Sequence, residues 1–160
     1  PPETDDLPDY FASHVHTGRR RIVDWLLPLL RRALNPDGLV EEYLSVWKSI
    51  ERNLPPPETG FTHVDFHVDN LMWIEGAQGT DRCGLLDFQG AMRGPLAYDA
   101  ANLLGDMRID VPACVHAPVL ARLCENLSPQ ETERFHLWHV VMGAQFHCRM
   151  AGQVIRLALV

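Results

Sequence analysis

Thr62-His63-Val64-Asp65-Phe66-His67-Val68-Asp69-Asn70-Leu71-Met72-Trp73-Ile74, then Cys83-Gly84-Leu85-Leu86-Asp87-Phe88-Gln89-Gly90 after a polar interval, is the stretch that decides the fold. Two apolar runs, Leu71–Ile74 and Cys83–Leu86, flank Glu75–Arg82, which is rich in glycine and polar residues. That pattern predicts two short strands joined by a loop. Acid and amide groups gather at one end of the hairpin: Asp65, Asp69 and Asn70 before the first strand, Asp87 after the second. Such a cluster is a place to hold a divalent metal or to activate a hydroxyl.

Outward from the hairpin, the pattern turns helical. Upstream, apolar residues recur at helical intervals between Asp9 and Ala33 (Ile22, Trp25, Leu26, Leu29, Leu30), with Arg19–Arg21 and Arg31–Arg32 as the expected solvated face. Pro28 is expected to kink this helix near Leu27. After the Asn35–Gly38 turn, with Asp37 as a candidate cap, a second helix is expected from Leu39 to Leu54, stopped by Pro55–Pro57. Downstream, Gly94-Pro95 reads as a turn and Ala97–Met107 as helix. A further helix is expected near Val115–Asn126, with Pro118 tolerable only in a first turn. Ser128-Pro129-x-Glu131 has the form of a capping box, opening a helix expected to end near Ala151-Gly152. The four tryptophans, Trp25, Trp47, Trp73 and Trp138, read as packing residues, and His136 and His139 as core-edge or surface positions. The predicted class is mainly α with a small β-hairpin.

The totals bound the rest. The 160 residues suit one domain, and 46% hydrophobic with 22% charged residues is ordinary for a globular chain. A net charge of −7 and a pI near 5.5 argue against a nucleic-acid or anionic-membrane surface. Cys83, Cys114, Cys124 and Cys148 form no C-x-x-C pair, so reduced thiols in a cytoplasmic protein are expected. No apolar run approaches a membrane span. The Pro1-Pro2 start and the apolar end at Val160 lead us to expect a fragment of a longer protein.

Asp65 with Asn70 and Asp87 supplies hard oxygen ligands of the kind Mg²⁺ accepts, plus a carboxylate to spare for a hydroxyl proton. Phosphoryl transfer needs that division of labour, being mostly positioning and charge neutralisation. The spacing sharpens the point. His63-x-Asp65-x-x-x-x-Asn70 has the form of the kinase loop H-R-D-x-x-x-x-N, with Val64 for Arg, and Asp87-Phe88-Gln89 stands where D-F-G would. With Gly94-Pro95 and Tyr98-Asp99 following, Thr62–Leu104 resembles the kinase-like aminoglycoside phosphotransferase and choline kinase superfamily. Its wording (F-H-V-D-N-L-M-W, G-L-L-D-F-Q, G-P-x-A-Y-D) is most similar to the bacterial branch that includes anomeric kinases of N-acetylmuramate and N-acetylglucosamine.

The resemblance implies a set of roles. Asp65 would be the catalytic base toward the acceptor hydroxyl, and Asn70 and Asp87 the Mg²⁺ ligands bridging to ATP. Asp99 would brace the loop and His63 would pack beneath it. It also implies that residues 1–160 are the helical C-lobe of a protein-kinase-like (α+β) fold, with the catalytic loop and metal hairpin at 62–90. The ATP-binding N-lobe is absent: the chain has no G-x-G-x-x-G. The fragment alone is then expected to be inactive. Gln89-Gly90, where the branch often has Gln-Asp, removes one acidic contact.

Other readings stay open on the residues themselves. His67, Asp69 and Arg93 are candidate acceptor contacts. His63, Asp65, His67 and Asp69 also imitate the ligand set of a metal-dependent hydrolase. An aminoglycoside acceptor would want an acidic pocket, which Asp106, Asp110 and Glu125 would supply, and a choline-like alcohol is a further acceptor. A non-catalytic binding module is the remaining reading.

Overall fold

Extended runs in this chain are cut short by glycine, proline and charge, so its strands are three or four residues long and helices carry the mass. The computed structural model describes residues 6–30 and 36–160. The start of the chain up to Asp5, the expected solvated pair Arg31–Arg32 and the turn residue Asn35 lie outside the described residues. The α-helices are α1 (His14–Thr17), α2 (Leu27–Leu30), α3 (Pro36–Asn53), α4 (Ala97–Leu104), α5 (Ala113–Cys124) and α6 (Pro129–Leu159). The strands are β1 (Thr59–Thr62), β2 (Leu71–Trp73), β3 (Cys83–Leu85) and β4 (Met92–Pro95).

The expected hairpin is present, with β2 and β3 antiparallel and Leu71 opposite Leu85. A second antiparallel pair was not expected: β1 joins β4, with Thr62 opposite Met92 and Thr59 opposite Pro95. Gly94-Pro95 therefore ends a strand instead of making a turn. The two pairs bracket the acidic stretch, β1 delivering the chain into it and β4 leading out.

The helix expected from Asp9 to Ala33 is a succession of turns of different pitch. A 3₁₀ turn (Tyr10–Ala12), α1, a second 3₁₀ turn (Gly18–Arg20), a π turn (Ile22–Leu26) and α2 follow one another. The π turn has a local cause. Pro28 has no N–H to give Asp24 and its ring would crowd that carbonyl; the wider turn ahead of it, closed by Leu27 N–H on Ile22 O, makes room. Arg19, expected in water, is only 6% exposed. Its guanidinium stacks 5.0 Å above the Trp47 ring and pairs with Glu51 on α3. His16 Nε2 lies 2.8 Å from the same carboxylate.

Burial opposes ionisation of Glu51, but hydrogen bonds and charge from His16 and Arg19 outweigh it and hold the carboxyl at about 2. A folded-state pKa below the unfolded value of 4.5 means stability present at neutral pH and lost as acid is added. After discounting for partial exposure we expect about 2 kcal/mol to disappear between roughly pH 4.5 and 2. Urea midpoints measured across that window should fall, and Glu51→Gln should flatten the fall.

Helix α6 is the long wall of the molecule. Its start is the expected capping box, with Ser128 Oγ accepting from Glu131 N–H and the Glu131 carboxylate accepting from Ser128 N–H at 2.7 Å. Phe135, Trp138, Met142, Gln145 and Phe146 face inward. They cover Tyr10, Val15 and Tyr98, whose two tyrosine rings lie 4.9 Å apart. The helix does not stop at Gly152. A side chain there would place Cβ 2.1 Å from the Arg21 backbone, so this glycine marks a close approach of the N-terminal turns.

Three smaller expectations also change. Helix α4 closes at Leu104 on Gly105, short of Met107. Pro118 lies inside α5, beyond its first turn; α5 buries none of its residues, so the carbonyl that loses a donor faces water. Trp73 is 71% exposed, on the outer face of β2, with only the Arg82 guanidinium recorded over its ring, 5.4 Å from the centroid. Trp47 and Trp138 are buried as expected, Trp138 Nε1 donating to Pro55 O at 2.8 Å.

Candidate active site

The turn after β1 is held from below by α4. The Asp99 carboxylate accepts from His63 N–H at 2.7 Å and from Val64 N–H at 3.1 Å. One turn further along α4, Asn102 Nδ2 donates to Val64 O at 3.2 Å. Burial pushes the Asp99 carboxyl up, against the pull of the two backbone donors and of His63. This clamp forces an uncommon backbone on Val64, whose φ is +66°. A β-branched residue is strained there, and such strain persists only where surrounding contacts impose it.

Asp87 is the other non-glycine residue with positive φ among those described, at +60°. His63, only 1% exposed, reaches under the loop with Nε2 2.8 Å from Leu86 O, just before Asp87. Leu86 N–H donates to Asn70 O at 2.9 Å, extending the β2–β3 ladder by one rung. Asn70 and Asp87 therefore stand at the same end of the hairpin. Asn70 Nδ2 donates to Asp65 O at 2.9 Å, closing the loop on itself and leaving Oδ1 as an oxygen donor. Gln89 Nε2 donates to Asp87 Oδ1.

The sequence candidates divide accordingly. Asp65, Asn70 and Asp87 are brought together, with the Asp65 side chain 59% exposed at the mouth. His63 and Asp99 lie beneath them. His67 is nearly buried, and Nε2, which accepts from Asn70 Nδ2 at 3.1 Å, sits 3.6 Å from Asp65 Oδ2. The other ring nitrogen faces Asp69 at 3.6 Å, and Asp69 itself is open to water. Arg93 projects from β4 as an exposed neighbour of buried Met92, opposite Phe61.

The alternative of a hydrolase metal cluster is not met. His63 turns away from His67 to the Leu86 carbonyl, and the described residues contain no group of three His, Cys, Asp or Glu suited to a metal. The donor set of Asn70 and Asp87, one amide oxygen and one carboxylate, instead fits a hard cation that keeps water and phosphate in its shell.

Of the acids considered for a cationic acceptor, two have arginine partners. Asp106 is bound to Arg108 and Glu125 to Arg122. Sequence reasoning missed Asn102, although its place three residues after Asp99 on one helix face was a usable signal. It also missed Arg108, which no motif marks.

The family model described as a phosphotransferase enzyme family matches residues 2–138. The chain is 33% identical over 122 residues to the N-acetylmuramate/N-acetylglucosamine kinase of Neisseria meningitidis, covering 70% of this chain and 35% of that protein. Against the kinase of the same name from Caulobacter vibrioides it is 30% identical over 143 residues, 89% of this chain and 39% of the relative. For Pseudomonas aeruginosa the values are 31% over 163 residues, 94% and 45%. The chain thus spans less than half the length of these curated relatives. Matched along most of its own length and holding the family's loop and hairpin in one cluster, the chain belongs to the phosphotransferase enzyme family.

Proposed function

We propose that the protein is an ATP-dependent kinase that phosphorylates the anomeric hydroxyl of an amino sugar, and that residues 1–160 are the helical C-lobe of its kinase-like fold. The observation carrying this reading is the joining of Asp65, Asn70 and Asp87 through Leu86 N–H on Asn70 O and Asn70 Nδ2 on Asp65 O. The relatives' names supply the acceptor class. Coverage of less than half of each relative leaves room for an N-lobe that binds the nucleotide, and unpaired cysteines fit a cytoplasmic enzyme.

In this reading Asp65 accepts the proton of the attacking hydroxyl, a contribution of about 10²–10⁴-fold. Its carboxylate is exposed to an incoming substrate while its backbone is fixed by Asn70. Asn70 Oδ1 and the Asp87 carboxylate would hold Mg²⁺. That ion, when bound, neutralises charge on the ATP phosphates. His67 lies between Asp65 and Asp69, and His67, Asp69 and Arg93 are the candidate acceptor contacts. His63 and Asp99 hold the loop against the hairpin without touching substrate.

Full-length protein should release ADP with N-acetylglucosamine and N-acetylmuramate, and phosphorus NMR should place the phosphate on the C1 oxygen. Turnover confined to aminoglycosides or choline would replace the acceptor assignment.

A further inference from the structure

The segment after α4 holds a buried carboxylate and the cation paired with it. Asp106 is only 7% exposed, and Arg108 forks onto it. Arg108 Nε donates to Oδ1 at 2.8 Å and Nη2 to Oδ2 at 2.8 Å, while the Arg108 backbone N–H donates to Oδ1 at 3.0 Å. A guanidinium held this way has a fixed plane. It carries five N–H groups; the fork uses two, and three remain on the outer edge of a side chain that is 43% exposed.

The pair is placed by the same helix that clamps the loop. Asn102, which holds Val64 O, precedes Asp106 by four residues, with the α4 end at Gly105 between them. The hydrogen bonds that Arg108 donates to Asp106 raise its pKa, and the charges of Asp106, Asp65 and Asp69 add to the effect. Asp106 is lowered mainly by Arg108, and His67 contributes. The link from the clamp to Arg108 is short, since Asn102 holds the carbonyl that precedes Asp65 and the Asp106–Arg108 fork follows directly on the end of α4.

We propose that Arg108 is a specificity-determining residue that binds a carboxylate on the sugar acceptor. The inference rests on the amino-sugar kinase reading. N-acetylmuramate differs from N-acetylglucosamine by a lactyl ether that ends in a carboxylate. Asp65, Asp69 and Asp87 would repel that anion, and a planar guanidinium offering parallel N–H groups answers it in two-point geometry. Arg108 then selects between the two sugars without taking part in proton or phosphoryl transfer.

The test is steady-state kinetics of full-length wild type, Arg108→Ala and Arg108→Lys with each sugar, with thermal midpoints measured alongside. For N-acetylmuramate, Arg108→Ala should raise KM about ten- to a hundredfold with little change in kcat, as expected for losing a charge-assisted contact. For N-acetylglucosamine both constants should stay within about twofold. Arg108→Lys, which keeps the charge and loses the fork, should fall between and serves if the alanine variant does not fold. Equal changes for both sugars, or none for either, overturn the proposal. A wild type that phosphorylates neither sugar removes the amino-sugar reading and this inference with it, a result unlike selective loss in a variant.

Discussion

Asp65→Asn is expected to lower kcat by about 10²–10⁴-fold while leaving KM for both substrates nearly unchanged, the signature of a group that acts in the transition state. The substitution is nearly isosteric, and the contacts that hold residue 65 are made by its backbone. Asn70 Nδ2 binds the carbonyl, and no described hydrogen bond depends on the carboxylate. Folding should therefore be intact, which makes the loss interpretable. The side chain is 59% exposed, so an amide there meets water without a desolvation cost. Single-turnover phosphoryl transfer with saturating ATP reads the chemical step directly. A rate within a few-fold of wild type would take the proton-accepting role from Asp65 and leave it as a neighbour of His67.

Asp99→Ala is expected to cost about 2–4 kcal/mol in stability and to reduce activity even at temperatures where the protein remains folded. Two backbone donors, His63 N–H and Val64 N–H, would lose their acceptor in a site closed by Tyr98, Ala101 and Asn102. Each unsatisfied buried donor costs about 1–3 kcal/mol. Val64 would also be released from its positive φ, and the loop would relax toward a commoner backbone. Differential scanning calorimetry should show a midpoint drop of about 5–15 °C. Asp99→Asn should recover part of it, since one carboxamide oxygen remains to accept. An alanine variant as stable as wild type would show that the loop holds its shape by other means.

How much of this was legible follows from the range of the interactions involved. The β2–β3 hairpin, the Ser128 capping box and the clustering of Asp65, Asn70 and Asp87 depend on neighbours a few residues apart or on one short loop. The pattern of apolar and polar residues records them. The β1–β4 pair joins residues thirty or more positions apart through Gly60 and Gly94, and neither TGFT nor MRGP looks like a strand by itself. Arg19 reads as a surface residue until Trp47 and Glu51 arrive from another helix. Gly152 reads as a stop signal until Arg21 is seen against it. Arg108 lies in no motif, because its meaning comes from a buried partner two residues away and from a loop forty residues upstream. Local rules reach the shape of the loop and hairpin and miss the tertiary contacts that orient them.

The packing of the N-terminal turns on α6 has a consequence for how the chain is made. Gln145 Nε2 donates to His16 O, 129 residues away in the chain, at 2.8 Å, and Gly152 lies flush against Arg21, so these turns find their seat on a helix synthesised long after them. Until Pro129–Leu159 has emerged, Tyr10, Val15 and Val23 have no lasting cover. Closure across so long a separation comes late and slowly. The nascent chain must therefore carry an unshielded apolar strip until α6 is made, the interval in which chaperone capture or self-association would compete with folding.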